Sequence, residues 1–180
     1  MKITKVILIA MSVCFLGCKD QKEEVKTEEA PVVANNVKVT LDVTIKKDDD
    51  LQIYYTETTS TDFNEKESLW QHVKGSESPQ KIVFNIPEDV LPTMVRLDFG
   101  VSDNQEAVKF SGIEFEYYGK KFTSVGEDLA NYFRPQTEAR IDFKTGLIEA
   151  RFQDGKRIEP AIFPHEVPLS QALDKLYKNK

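Results

Sequence analysis

The residues best suited to do chemistry in this chain are aromatic side chains set beside planar polar ones. Tyr54, Trp70 and Tyr118 each fall on or near the face opposite the apolar positions of their segments, and Gln52, Arg96 and Asp98 are the polar groups placed beside them. An exposed aromatic ring packs against the C–H face of a sugar, while amide, guanidinium and carboxylate groups fix its hydroxyls. These residues also have plainer uses. A sole tryptophan fills a core, tyrosines cover sheet edges, and Arg96 and Asp98, two apart on one strand face, pair with each other or across strands.

Covalent chemistry has less to work with. His72 and His165 are the only histidines and stand far apart, without a second His or Cys at metal-ligand spacing. There is no Cys nucleophile beyond the N-terminal region, no Gly-x-Ser-x-Gly elbow and no phosphate-cradling glycine loop. Thirty acidic residues guarantee that some carboxylate pair stands at a distance workable for sugar hydrolysis, so their abundance selects nothing. Asp48, Asp49 and Asp50 form the densest acidic cluster, but no spaced ligand set of the calcium-loop kind follows, and they read as a hairpin turn. The chain is expected to be non-catalytic and to need no cofactor or metal.

At 180 residues there is room for one ordinary domain with tails, and 40% hydrophobic content supplies a core. With 24 Lys+Arg against 30 Asp+Glu the net charge is -6, the wrong sign for coating phosphate backbones, so no nucleic-acid partner is expected.

Two lysines within Met1–Lys5 precede the apolar run VILIAMSVCFLG, residues 6–17, which ends in a small residue. A charged start, a twelve-residue apolar stretch and a small-residue cut are the parts of a secretory signal, and the run is short for a spanning helix. Phe15-Leu16-Gly17-Cys18 resembles the bacterial lipobox, departing from it in having Phe where Leu is usual. That resemblance implies cleavage after Gly17, acylation of Cys18 and attachment to a membrane. Cys14 would leave with the signal, so the 163-residue mature chain could form no disulfide within itself. Loss of Lys2 and Lys5 leaves 22 basic against 30 acidic residues, a charge of -8.

The next residues, Lys19-Asp20-Gln21-Lys22-Glu23-Glu24, look like the short export signal that carries Bacteroidetes lipoproteins to the outer face of the outer membrane. A plain spacer on a periplasm-facing lipoprotein has the same composition. Residues 19–36 are rich in charge and free of aromatics, which predicts a flexible tether. The expected organisation is therefore a signal peptide over 1–17, lipidated Cys18 and tether over 18–36, and one domain over 37–180.

That domain must position the aromatic and polar groups, and its pattern has period two. Val37, Val39, Leu41, Val43 and Ile45 alternate with polar residues, and Leu51, Ile53 and Tyr55 resume the inward face. Residues 56–66 read as a long surface loop with Phe63 its only large apolar residue. Further strands are expected at 69–73, 80–86 and 93–99. Val108 and Phe110 share a face with Ile113, Phe115 and Tyr117 only if a bulge near Gly112 shifts the register. Ser124 is placed to cap a short helix running to Phe133, and residues 139–158 read as a three-stranded meander with turns at Gly146 and Asp154-Gly155. Pro160, Pro164 and Pro168 argue against regular structure before a C-terminal helix at 169–177. About nine closely spaced strands with no βαβ alternation predict an all-β fold, an antiparallel two-sheet β-sandwich, jelly-roll-like, with one or two short helices.

The segments Asp50-Leu51-Gln52-Ile53-Tyr54-Tyr55, Ile82-Val83-Phe84-Asn85-Ile86-Pro87 and Val95-Arg96-Leu97-Asp98, with Phe63 and Glu67-Ser68 between the first two, carry a further resemblance. So do Tyr132-Phe133-Arg134-Pro135, Ile141-Asp142-Phe143 and the return from Gly155 to Pro160. In this order they resemble the accessory β-sandwich domains of bacterial polysaccharide-assembly and glycosyltransferase proteins, which are similar in architecture to carbohydrate-binding jelly rolls. The resemblance implies a carbohydrate-binding-like β-sandwich, and a glycan ligand would be held by the aromatic and polar groups set out above, Gln52, Tyr54, Trp70, Arg96, Asp98 and Tyr118. A protein of the cell envelope is the other partner these surfaces would fit, and an outer-membrane location is what the lipobox and the export-signal resemblance of residues 19–24 together imply.

Overall fold

The computed structural model describes residues 35–136 and 139–178. The expected signal, Cys18 and nearly all of the tether lie outside the described residues. The described chain forms β1 (Lys38–Thr44), β2 (Asp49–Thr56), β3 (Ser68–Val73), β4 (Gln80–Asn85), β5 (Met94–Phe99), β6 (Val108–Tyr117) and β7 (Lys120–Val125). It continues with β8 (Phe133–Pro135), β9 (Ile141–Asp142), β10 (Leu147–Ile148), β11 (Arg151–Gln153), β12 (Lys156–Ile158), β13 (Ala161–Pro164) and α1 (Glu166–Lys178).

These strands build two antiparallel sheets. One runs β4-β1-β6-β10-β9, with β7 pairing the second half of β6; the other runs β3-β2-β5-β13-β8. The hairpin β11-β12 stands by itself. Alternation dictates the packing: Val37, Val39, Leu41, Val43 and Ile45 are all buried, as are Leu51, Ile53 and Tyr55. Val95, Leu97 and Phe99 join them, with the Phe99 and Phe110 rings 5.1 Å apart. Each such side chain contributes about 1.5–3 kcal/mol by leaving water. The fold is the expected all-β two-sheet sandwich.

Long β6 keeps its apolar residues on one face through a bulge. Asp42 opposes Gly112 while Val43 opposes Phe110, so Ser111 is the extra residue and both Phe110 and Ile113 point inward. Gly112 leaves room for the neighbouring strand: a Cβ there would meet Val125 Cγ1 at 2.8 Å, and that exposed side chain would have to shift.

Several expectations need correction. The turn expected over residues 47–50 is not a hairpin: Asp49 and Asp50 open β2, and β1 and β2 belong to different sheets, so the chain crosses between them. The three aspartates diverge: Asp48 Oδ1 accepts from Gly75 N at 2.8 Å, Asp50 pairs with His72, and Asp49 is buried. Asp49 Oδ1 accepts from the backbone N–H groups of Val101 and Ser102 at 2.8 and 2.9 Å, and its Oδ2 accepts from Gln105 Nε2 at 3.0 Å. It thus ties down the loop after β5, whose carbonyls at Phe99 and Gly100 accept from the buried Arg157 guanidinium.

Ser124 does not cap a helix. Its hydroxyl donates to Asp128 Oδ2 at 3.0 Å, and a 3-10 turn occupies Gly126–Asn131, leaving Phe133 in a strand. The meander divides into two hairpins, β9-β10 and β11-β12, because the pairing stops at Ile148 and resumes at Arg151. The prolines permit a strand: Pro160 and Pro164 sit at its borders, and β13 pairs with both β5 and β8. Pro168 falls in the first turn of α1, where its missing N–H breaks no bond, and the first helical bond runs from Leu169 N to His165 O. Leu169, Leu173 and Leu176 bury one face of α1, and the Tyr177 hydroxyl donates to Pro92 O at 2.8 Å.

Candidate functional site

Outward-facing positions of β3, β2 and β5 line up in two rows across the five-stranded sheet. Trp70, Gln52 and Asp98 are cross-strand neighbours in one row, and Ser68, Tyr54 and Arg96 in the next. This is the face opposite the core, as expected of Gln52, Tyr54, Trp70, Arg96 and Asp98. The expectation that they lie open to solvent holds for Trp70 alone. It is 50% exposed, whereas Gln52, Tyr54 and Asp98 are 3%, 8% and 6% exposed.

The loop joining β2 to β3 covers them. The Phe63 ring reaches down between Tyr54 and Phe163, at centroid distances of 6.3 and 6.0 Å. A short 3-10 turn, Glu65–Glu67, follows and is capped by Asn64, whose Oδ1 accepts from Lys66 N. That turn holds Glu65 over the strands. Glu65 Oε1 accepts from Gln52 Nε2 at 2.8 Å, and Oε2 accepts from the Tyr54 hydroxyl at 2.6 Å. The same Gln52 nitrogen lies 2.9 Å from Ser68 Oγ, which in turn donates to the Glu65 carbonyl.

Beneath this turn Arg96 and Asp98 form the ion pair their spacing allows, although it is a sheltered pair rather than a surface one. Nε donates to Oδ1 at 2.8 Å and the terminal Nη2 donates to Oδ2. The guanidinium also lies over Tyr54, 4.4 Å from the ring centre, and 5.3 Å from that of Phe163. Phe163 belongs to β13, the strand hidden by the prolines. Arg134 of β8 approaches its ring at 5.5 Å.

Burial and pairing set the protonation of these groups. Desolvation, then the hydrogen bond to Glu65, pushes the Tyr54 hydroxyl up to about 12. The hydrogen bonds from Tyr54 and Gln52 hold the Glu65 carboxyl below the usual glutamate range, with smaller help from the Trp70 indole and Arg96. Burial raises Asp98 above the aspartate range, against the opposing pull of Arg96.

Trp70 and His72 share the outer face of edge strand β3, and His72 Nδ1 lies 2.8 Å from Asp50 Oδ1. An exposed indole therefore stands between the Glu65 carboxylate and an imidazole–carboxylate pair. Tyr118 does not join this group. It occupies the turn between β6 and β7 of the other sheet, with φ 49°, and packs edge-on against Tyr117 at 4.6 Å.

Glu65, Phe63, Phe163, His72 and Asp50 are thus neighbours of the candidate residues that the sequence reading did not place there. The one available signal was Phe63, a large apolar side chain in an otherwise polar loop, which needs something to rest on. No family model, curated protein or solved structure matches this chain.

Proposed function

We propose that this chain is a lipid-anchored, non-catalytic glycan-binding protein of the bacterial outer membrane, with Trp70 as its sugar platform. The observation that carries the reading is the position of Trp70. The side chain is half exposed on the outer face of the five-stranded sheet, with the Glu65 carboxylate to one side of the indole and the His72–Asp50 pair to the other. Stacking needs a flat apolar ring held still, and hydroxyl recognition needs acceptors and donors at its rim. Anchoring rests on the lipobox-like Phe15–Cys18 and the polar residues after it, which also favour display at the cell surface over the periplasmic face.

Trp70 is the only tryptophan, so intrinsic fluorescence of the full-length chain reports the site directly. Titration with an array of neutral and acidic oligosaccharides should give a saturable change with at least one. Trp70→Ala should abolish that binding in calorimetry while leaving the circular dichroism unchanged. Silence across the array defeats the proposal.

One observation favours a second reading, a protein-interaction or envelope-assembly role. Among the described residues strand β3, which bears Trp70, pairs on one side only, and such an edge accepts a strand from a partner. Crosslinking in membranes would then recover a stoichiometric protein through Trp70, which a glycan receptor would not.

A further inference from the structure

We infer that Gln52, Tyr54 and Trp70 form a receptor for a carboxylate, that Glu65 fills it as the chain's own stand-in, and that the external ligand is an acidic glycan whose uronate-type carboxylate displaces Glu65. This inference rests on the glycan reading and specifies its ligand class.

The donors and the acceptor differ in how they are held. Gln52 and Tyr54 are buried side chains of β2, a strand paired on both sides, so their positions are set by the sheet. Glu65 is an exposed residue of a connecting loop. Both of its oxygens are taken by those buried donors, at 2.8 and 2.6 Å. A buried tyrosine hydroxyl and a buried amide aimed at one point make a preformed site for an anion with two acceptor oxygens. The part that completes it is the part most easily removed.

Removal needs no rearrangement of the backbone. The turn is secured independently of the carboxylate, by Ser68 Oγ donating to the Glu65 carbonyl at 2.9 Å and by Glu67 N donating to Asn64 O at 3.1 Å. Rotation about the Glu65 side-chain torsions lifts the carboxylate into water and leaves Gln52 and Tyr54 in place. Any ligand that then fills the site must satisfy them, because an unpaired buried donor is costly.

Trp70 supplies the rest of the specificity. It is the direct cross-strand neighbour of Gln52, and facing residues of an antiparallel pair stand about 4.5–5.5 Å apart. A pyranose stacked on the indole carries a uronate carboxyl at its rim, which is where the donors lie. Charge opposes the exchange only in part. The displaced Glu65 carboxylate stays on its loop, so binding adds one negative charge beside it; Arg96, paired with Asp98 and lying over Tyr54, offsets part of that repulsion, and removing Glu65 relieves the rest.

The test uses the full-length chain with three probes of one backbone: an oligouronate, its methyl ester and the corresponding neutral oligosaccharide. The oligouronate should bind, and the methyl ester should bind about tenfold more weakly or not at all. Glu65→Ala, and independently Glu65→Gln, should tighten the oligouronate about tenfold by removing the internal competitor, without tightening the neutral sugar. Tyr54→Phe should weaken the oligouronate. If the neutral oligosaccharide binds while the acid does not, or if both Glu65 variants leave uronate affinity unchanged or lower, the inference is overturned and the glycan reading stands. If no glycan of any kind binds, both fall together.

Discussion

The Arg96 guanidinium carbon lies 4.4 Å from the Tyr54 ring centre while its Nε and Nη2 both donate to the Asp98 carboxylate. One cation therefore serves an aromatic ring and a buried carboxylate at once. Arg96→Ala should cost about 2–4 kcal/mol of unfolding free energy near neutral pH, since it strips the partner from a sheltered charge. Because burial raises Asp98, its proton is held more tightly in the folded state, so its contribution to stability is largest in acid. That contribution declines as pH rises from the ordinary aspartate range through the raised folded value. Without Arg96 the raised value climbs further, so the variant's deficit should be smaller near pH 4 than near pH 7. Urea denaturation at the two pH values measures the difference.

Tyr54 and Glu65 shift each other in opposite directions, and each can be read through the other. Glu65→Gln should bring the Tyr54 hydroxyl down from about 12, with burial still holding it above an exposed tyrosine. Tyr54→Phe should return the Glu65 carboxyl toward the glutamate range. For Glu65, whose folded pKa is depressed, stability is present above the usual range and lost as pH falls through the lowered value. For Tyr54, whose folded pKa is raised, stability is present below about 10 and lost as pH climbs from there through about 12. Residue-specific NMR titration follows both groups, and independent midpoints in the two variants would refute the coupling.

Asp49 and Gly100 form a second coupled pair. Gly100 has φ 88°, and a Cβ on it would run into the Asp49 carboxylate. Asp49→Ala should destabilise by about 2–4 kcal/mol, because it orphans the N–H groups of Val101 and Ser102. Gly100→Ala should cost about 1–3 kcal/mol from the left-handed backbone and the collision. The double variant should lose less than the two together, since the first change clears space for the second. Strict additivity in a double-mutant cycle would show that the contact carries no strain.

Cys18→Ala should accumulate an uncleaved, unacylated precursor, visible as a slower band and as loss of metabolic fatty-acid label. Normal processing and labelling of that variant would overturn the anchoring proposal.

Local regularity decided what could be read in advance. The strands at 38–44 and 80–85 and the bulge at Ser111-Gly112 were legible because burial on one face forces a period of two, and a break in that period can only be a slip. The outward placement of Gln52, Tyr54, Arg96 and Asp98 was legible for the same reason. Its shelter was not, since that depends on Phe63 and Glu65 folding back from a loop whose composition is ordinary surface. Asp49 was hidden among thirty acids, with partners some fifty residues away. Strand β13 was hidden by prolines that act as breakers inside a strand and as harmless ends at its borders.

The chain enters its described fold through β1, which has six residue pairs with β4 on one side and seven with β6 on the other. Tension applied ahead of Val37 would therefore run along the axis of an interior strand and load both ladders in shear together, instead of peeling them open bond by bond. Rupture would need many pairs to fail at once, and the rate of forced unfolding, rather than the equilibrium stability, would set how long the domain survives under pull. A domain held against flow by its N-terminus would be gripped along an interior strand, not at a sheet edge.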